Sequence, residues 1–298
     1  MTIQNPHIVK EIRQHIANKP NTTALRERKC SILIDTECEA WSDITWGQFG
    51  EQMDTLSLAL LAHGLKVQEK VGIFSNNMPR WTVADFATMQ LRSVPVPIYP
   101  TNTPTQAAYI INDADIRILF VGEQAQYNAA VVIFEQCPQL THIVALSDDI
   151  DLNDHQAGIS WNDFVSKADD IHKEELQARL DSAEMDDLLT LIYTSGTTGN
   201  PKGVMHTYGT FSFGAQNAVE ALPVGAHDRF LSFLPLSHIA ERFMVLGCAT
   251  YSGAQVSFVE SLDTFAENLQ ATLPTVFFAV PRLWKKFQQQ ITAKMPQE

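Results

Sequence analysis

The residues best suited to chemistry lie together in Tyr193-Thr194-Ser195-Gly196-Thr197-Thr198-Gly199-Asn200-Pro201-Lys202-Gly203. Small residues let backbone N–H groups approach an anion, and hydroxyls and an ammonium add donors that polyphosphate oxygens accept. The stretch therefore reads as a phosphate cradle. It is not a Walker A loop, because Gly199 is followed by Asn200, Pro201, Lys202 and Gly203 instead of Lys and Ser/Thr. Composition alone fits a flexible Ser/Thr/Gly connector equally well. The apolar run Leu188 to Ile192 before it reads as a buried strand, so the loop should leave the end of a sheet, where ligands sit in open α/β folds.

Other reactive side chains carry weaker signals. His238 stands beside apolar residues, where a lone histidine is ordinarily a satisfied core or cap residue. Glu241 and Arg242 follow one another on a helical pattern and so point to different faces, with surface ion pairing elsewhere as the ordinary expectation. Asp148-Asp149 and Asp186-Asp187 read as solvated carboxylates. Cys30, Cys38, Cys137 and Cys248 form no C-x-x-C pair and no zinc spacing, which fits free or buried thiols in a reducing compartment. Trp284, Phe287 and the pair Phe277-Phe278 read as ordinary core.

The elements that would position these residues alternate regularly. With 298 residues, 45% of them hydrophobic and 18% charged, the chain can bury a large core in one or two domains. A net charge of -13 argues against a broad nucleic-acid footprint, which needs clustered Lys and Arg. Met1 to Pro20 lacks a signal-peptide pattern, and Ile8, Ile12 and Ile16 place it as an amphipathic surface helix. No run reaches the roughly eighteen apolar residues of a membrane span, so a soluble cytoplasmic protein is expected.

Strands are expected at Cys30 to Asp35 and Trp41 to Thr45, then a helix opened by a Thr45/Gln48 capping box and stopped at Gly64. Strand, helix and strand then succeed one another at Lys70 to Ser75, Pro79 to Arg92 and Val94 to Tyr99. A second capping box at Thr103/Gln106 starts the helix before Arg117 to Val121, and Ala125 to Gln136 and Thr141 to Leu146 continue the alternation. Ser147 to Asp187 reads as an acidic surface excursion with one polar helix, Ile171 to Leu180. After the loop come a helix at Phe211 to Ala221, a strand at Phe230 to Leu234, a helix from His238 and a strand at Ala254 to Val259. The series ends with a helix at Leu262 to Leu273, a strand at Thr275 to Val280 and a helix starting at Pro281. Such alternation predicts an α/β fold with mainly parallel sheets covered by helices.

The loop, with Val204-Met205-His206-Thr207 after it, resembles the phosphate-loop signature of the adenylate-forming (AMP-binding) superfamily. Leu234 to Arg242, Pro274 to Leu283 and Val96 to Pro104 are similar to the patterns of its long-chain fatty acyl-CoA synthetases. His206 and Tyr208 depart from the usual residues at their positions and receive no role. The resemblance implies two stacked, mainly parallel sheets flanked by helices, with one subdomain at 67–223 and another formed by 1–66 plus 224–298. It implies activation of a fatty acid by ATP and Mg2+ to an acyl-adenylate, then transfer to coenzyme A, with peripheral membrane contact left open. Thr194, Ser195, Gly196, Thr197, Thr198, Gly199 and Lys202 would contact phosphate, Thr194 would be a magnesium ligand, and Lys202 and His238 would be catalytic.

The family's adenine-side Tyr-Gly-x-Thr-Glu motif, ribose-binding Asp, hinge and C-terminal catalytic Lys do not occur here. The sequence therefore reads as the N-terminal portion of a longer ligase, expected to be inactive by itself. A non-catalytic nucleotide- or acyl-binding module, or an enzyme for a different carboxylic acid, are the alternatives.

Overall fold

A computed structural model describes residues 7–28, 41–194 and 200–294. The first two strands are β1 (Thr23–Arg28) and β2 (Trp41–Thr45). A helical layer and a block of strands follow: β3 (Lys70–Phe74), β4 (Val94–Ile98), β5 (Ile116–Val121), β6 (His142–Ala145) and β7 (Gly158–Ser160). Next come β8 (Leu188–Thr194) and β9 (Lys202–Thr207), and then β10 (Arg229–Ser232) and β11 (Gln255–Phe258).

One sheet has the order β4-β3-β5-β6-β7, with every pair parallel. Parallel neighbours require crossovers, and helices Pro79–Gln90, Pro104–Asp113 and Gln124–Ile133 supply them from β3 through β6, while residues 146–157 join β6 to β7 without a helix. Both faces of this sheet are covered, which is why β4 is buried along its whole length. A second sheet has the order β10-β11-β1-β2, parallel except where β1 meets β2. Its strands come from opposite ends of the chain.

The two sheets share one apolar core. It runs from Ile8 and Ile12 of helix Ile8–Asn18, through Phe49, Met53 and Leu56 of helix Trp46–Ala62, to Val71, Ile73 and Phe120, and on to Phe230, Val256 and Phe258. A second core covers the other face of the five-stranded sheet and includes Val94, Val96, Ile98, Ile110, Leu119 and Val121. The expected caps form as written: the Thr45 and Thr103 hydroxyls accept from the third helical residue, and Gln48 and Gln106 reach back to the cap N–H. Gly64 adopts φ 74°, a left-handed conformation that favours glycine, just past its helix.

Two expectations differ from the structure, and one falls on residues it does not describe. The first strand is Thr23–Arg28, while the expected strand at Cys30 to Asp35 lies outside the described residues. The acidic segment after β6 is more than a surface excursion, because β7 extends the sheet and Trp161 and Phe164 enter the core. A three-residue edge strand is too short to show a period of two. Thr275 to Val280 forms only a bridge, between Val276 and Phe230. Arg229 spends its hydrogen bonds there on the Thr275 hydroxyl and amide, and no ladder follows.

Candidate functional site

Strand β8 ends at Thr194 and pairs antiparallel with β9, which starts at Lys202, so the two ends of the candidate phosphate loop meet at one end of this ladder. The run Leu188 to Ile192 is a largely buried strand, as expected, and among the described residues β9 is its antiparallel ladder partner. A helix, Tyr208–Ala221, begins only after that return strand. Ser195, Gly196, Thr197, Thr198 and Gly199 lie outside the described residues. The two ends of the loop are described: Thr194 pairs with Lys202 across the hairpin, and both side chains are exposed. A hydroxyl and an ammonium therefore flank the mouth of the Ser/Thr/Gly loop.

The hairpin stem is fixed by side chains in both cores. Leu189 enters the first core, whereas Leu191 and Tyr193 enter the second; residues two apart share one face of a regular strand, and the ladder irregularity between Leu188 and Thr190 sets Leu189 apart from the other two. The Gln68 amide bonds both backbone groups of Leu188, and the Thr190 hydroxyl donates to the Pro95 carbonyl at 2.6 Å. These bonds set β8 alongside β4 and in the same sense. The Tyr193 hydroxyl donates to Asp113 at 2.6 Å, and burial, followed by the hydrogen bond to the Asp113 carboxylate and its charge, raises its pKa above the ordinary tyrosine value. Opposite it, a Cβ on Gly203 would stand 3.1 Å from the Tyr193 ring, so glycine lets the ring lie across β9.

His238 occupies the loop after β10. Its Nδ1 accepts from the Ala240 N–H at 3.1 Å, so the exposed imidazole caps the helix that follows. The structure thus places the three described candidates on two elements: Thr194 and Lys202 together on the hairpin, and His238 on the turn beyond β10. Asn77, after β3, grips this turn: its amide donates to Leu234 O at 2.7 Å and Ser232 Oγ at 2.9 Å, while its carbonyl accepts from Leu236 N at 3.0 Å. The loops after one strand of each sheet are therefore tied together.

Glu241 and Arg242 are the chief surprise, because neither is on the surface. Glu241 is fully buried and its Oε1 accepts from Ser232 Oγ and Phe233 N, each at 3.0 Å. Burial pushes its carboxyl up to about 8, against the pull of those hydrogen bonds. Arg242, 1% exposed, donates to Asp85 and to the Thr190 hydroxyl and lies over the Trp81 indole. Burial raises Asp85 to about 6, and the Arg242 guanidinium opposes that rise. A chemical signal for this pair was present in the sequence: Asp85 interrupts the run Val83 to Ala87, and Arg242 precedes Phe243 to Leu246. A lone charge in an apolar run must find a partner when buried. Sequence spacing could not say that the two partners are each other.

The remaining candidates sort plainly. Cys137 and Cys248 are free and buried, and Cys30 and Cys38 lie outside the described residues. Asp148, Asp149 and Asp186 are exposed as expected, Asp148 pairing with Arg80, whereas Asp187 forms a two-pronged, largely buried pair with Arg92. Trp284 is 49% exposed at the end of an aromatic series through Phe277, Phe265 and Phe233, so it is not ordinary core. Among the described residues no group of three His, Cys, Asp or Glu side chains could hold a metal. No helix in them is long and apolar enough to cross a membrane.

The chain resembles known proteins at the level of sequence and fold. It is 29% identical over 270 residues to ACSBG2, a long-chain-fatty-acid–CoA ligase of Xenopus laevis, covering 88% of this chain and 36% of that protein. The chain thus spans little more than a third of that relative's length. The anthranilate CoA ligase AuaEII, solved with anthranoyl-AMP, superposes with a TM-score of 0.78 at 23% identity, over 92% of this chain and 49% of that one. The A-PCP didomain of a carboxylic acid reductase from Segniliparus rugosus, solved with AMP, gives 0.81 at 20% identity, over 98% and 45%. At these identities the two structures establish the fold alone. The family described as AMP-binding enzyme matches residues 12–298, and the chain belongs to it.

Proposed function

We propose that this chain carries the phosphate-binding part of an ATP-dependent long-chain-fatty-acid–CoA ligase. The observation that supports it most directly is the pairing of Thr194 with Lys202 at the mouth of the Ser/Thr/Gly loop. In the proposed reaction a fatty-acid carboxylate attacks the α-phosphorus of ATP and pyrophosphate leaves. The thiol of coenzyme A then attacks the acyl carbon and AMP leaves. Negative charge accumulates on the departing pyrophosphate. Fixed donors aimed at that position stabilise the charge without reorganising, and such preorganised electrostatics supply much of the rate in phosphoryl chemistry. Lys202 would provide a charge-assisted hydrogen bond, Thr194 a neutral one, and Ser195, Gly196, Thr197, Thr198 and Gly199 the loop's remaining contacts. His238 would face the acyl end, with its ring orientation fixed by the bond to Ala240. No side chain of this chain acts as a nucleophile.

Magnesium fits this donor set as a companion of phosphate. The Thr194 hydroxyl can provide one oxygen ligand, and phosphate oxygens and water would be others. When bound there, the ion would neutralise charge on the phosphates. The division into a subdomain at 67–223 and one formed by 1–66 plus 224–298 belongs to the same reading, supported by the pairing of β1 with β11.

Calorimetric titration with magnesium and ATP tests the proposal. The chain should bind, and Lys202→Ala should weaken binding about tenfold to a hundredfold, the loss expected for one hydrogen bond to a charged group. Absence of binding by the unaltered chain, or unchanged affinity in the variant, would overturn it. Preference of the ligase for aromatic acids or amino acids over fatty acids would overturn the substrate assignment.

A further inference from the structure

We propose that Arg242 is a positioning residue that locks the stem of the phosphate hairpin to the turn carrying His238, so that Lys202 and His238 keep one fixed arrangement. The consequence for Lys202 and His238 rests on the proposed function; the lock itself rests on geometry. Arg242 stands four residues after His238, and its backbone N–H donates to the His238 carbonyl at 3.1 Å. Its guanidinium crosses to β8 and donates to the hydroxyl of Thr190, four residues before Thr194. That hydroxyl passes its own hydrogen to the Pro95 carbonyl of β4. One side chain thus joins the His238 turn, the hairpin and the five-stranded sheet.

The surroundings make this connection rigid. Asp85, fully buried on helix Pro79–Gln90, supplies the counter-charge, and the Trp81 ring lies beneath the guanidinium at 5.7 Å. A planar fork held on both sides can neither rotate nor leave without stranding a buried carboxylate. On the other side of the turn, Glu241 fastens Ser232 and Phe233, and the helix then widens into a π-helical stretch, Arg242–Gly247. A π-helical turn shifts the helix face relative to an ordinary α-turn. Here it starts at the residue that makes the lock.

Segment-resolved hydrogen exchange on the whole chain tests the proposal. Arg242→Met should speed exchange about tenfold or more in both 188–194 and 232–240 while β3, β5 and β6 keep their protection, because local opening is distinct from global unfolding. Arg242→Lys, which restores the charge but not the fork, should recover part of the protection. Thr190→Val, which leaves the ion pair with Asp85 intact, should loosen the same two segments more mildly and serves if Arg242→Met does not fold. Titration with magnesium and ATP should show weaker binding in step with the loosening. Uniform acceleration across the sheet, or no change in either segment with Thr190→Val, would overturn the lock. Failure of the unaltered chain to bind ATP, with the exchange pattern as expected, would overturn the proposed function and leave the lock standing.

Discussion

Replacing Glu241 by Gln should abolish a specific pH dependence of stability. The folded carboxyl titrates near 8, the ordinary value is 4.5, and the side chain is fully buried. Between those values the folded state keeps a proton that the unfolded state has released, so stability is greatest below 4.5 and falls as pH rises toward 8. At about 1.36 kcal/mol per pH step, the whole interval amounts to at most about 5 kcal/mol. Gln is a close mimic of the protonated acid. Its carbonyl can accept from Ser232 Oγ and Phe233 N, and its amide takes the place of Oε2, which has no hydrogen-bond partner.

The two proteins should therefore be nearly equal in stability near pH 5 and diverge above it, with the Gln variant more stable by several kcal/mol near pH 8. Urea denaturation of both at about pH 5.5, 7 and 8.5 measures the divergence. Histidines held low by burial, such as His7 and His63, act in the opposite sense below 6.5 and cancel in the comparison. A stability difference that does not change with pH would refute the reasoning and show that Glu241 folds in its ionised form.

Two further outcomes concern the frame around the site. His63 stacks face to face on Phe164 at 4.2 Å, and burial, with the charges of His142, Lys167 and Arg117, lowers it to about 4. Protonation below 6.5 then favours the unfolded chain, so His63→Phe should move the acid-unfolding midpoint, followed by circular dichroism, to lower pH; an unmoved midpoint would count against a buried neutral ring. Thr45→Ala removes one half of a capping box and should cost about 1 kcal/mol, seen as a melting temperature lower by about 2–4 °C. No shift would mean that the helix start is held by the Trp46 and Gly47 backbone bonds to Thr22 and Pro20 instead.

The sequence by itself determined the local chemistry and the fold class. Capping boxes at Thr45 and Thr103, the left-handed Gly64 and the alternation of strands and helices are decided within a few residues, by backbone geometry and short-range hydrogen bonds, and they form as the residue types require. The position of His238 before an apolar helical run likewise allowed the cap that it forms on Ala240. Tertiary structure decided what depends on distant partners. Only packing could bring β1 beside β11 and keep Thr275 to Val280 from joining the ladder. Glu241 and Arg242 show the reason. Helical spacing separates their faces but says nothing of what covers each face. A residue 157 positions away, Asp85, makes burial of Arg242 tolerable, and burial without a counter-charge holds the proton on Glu241.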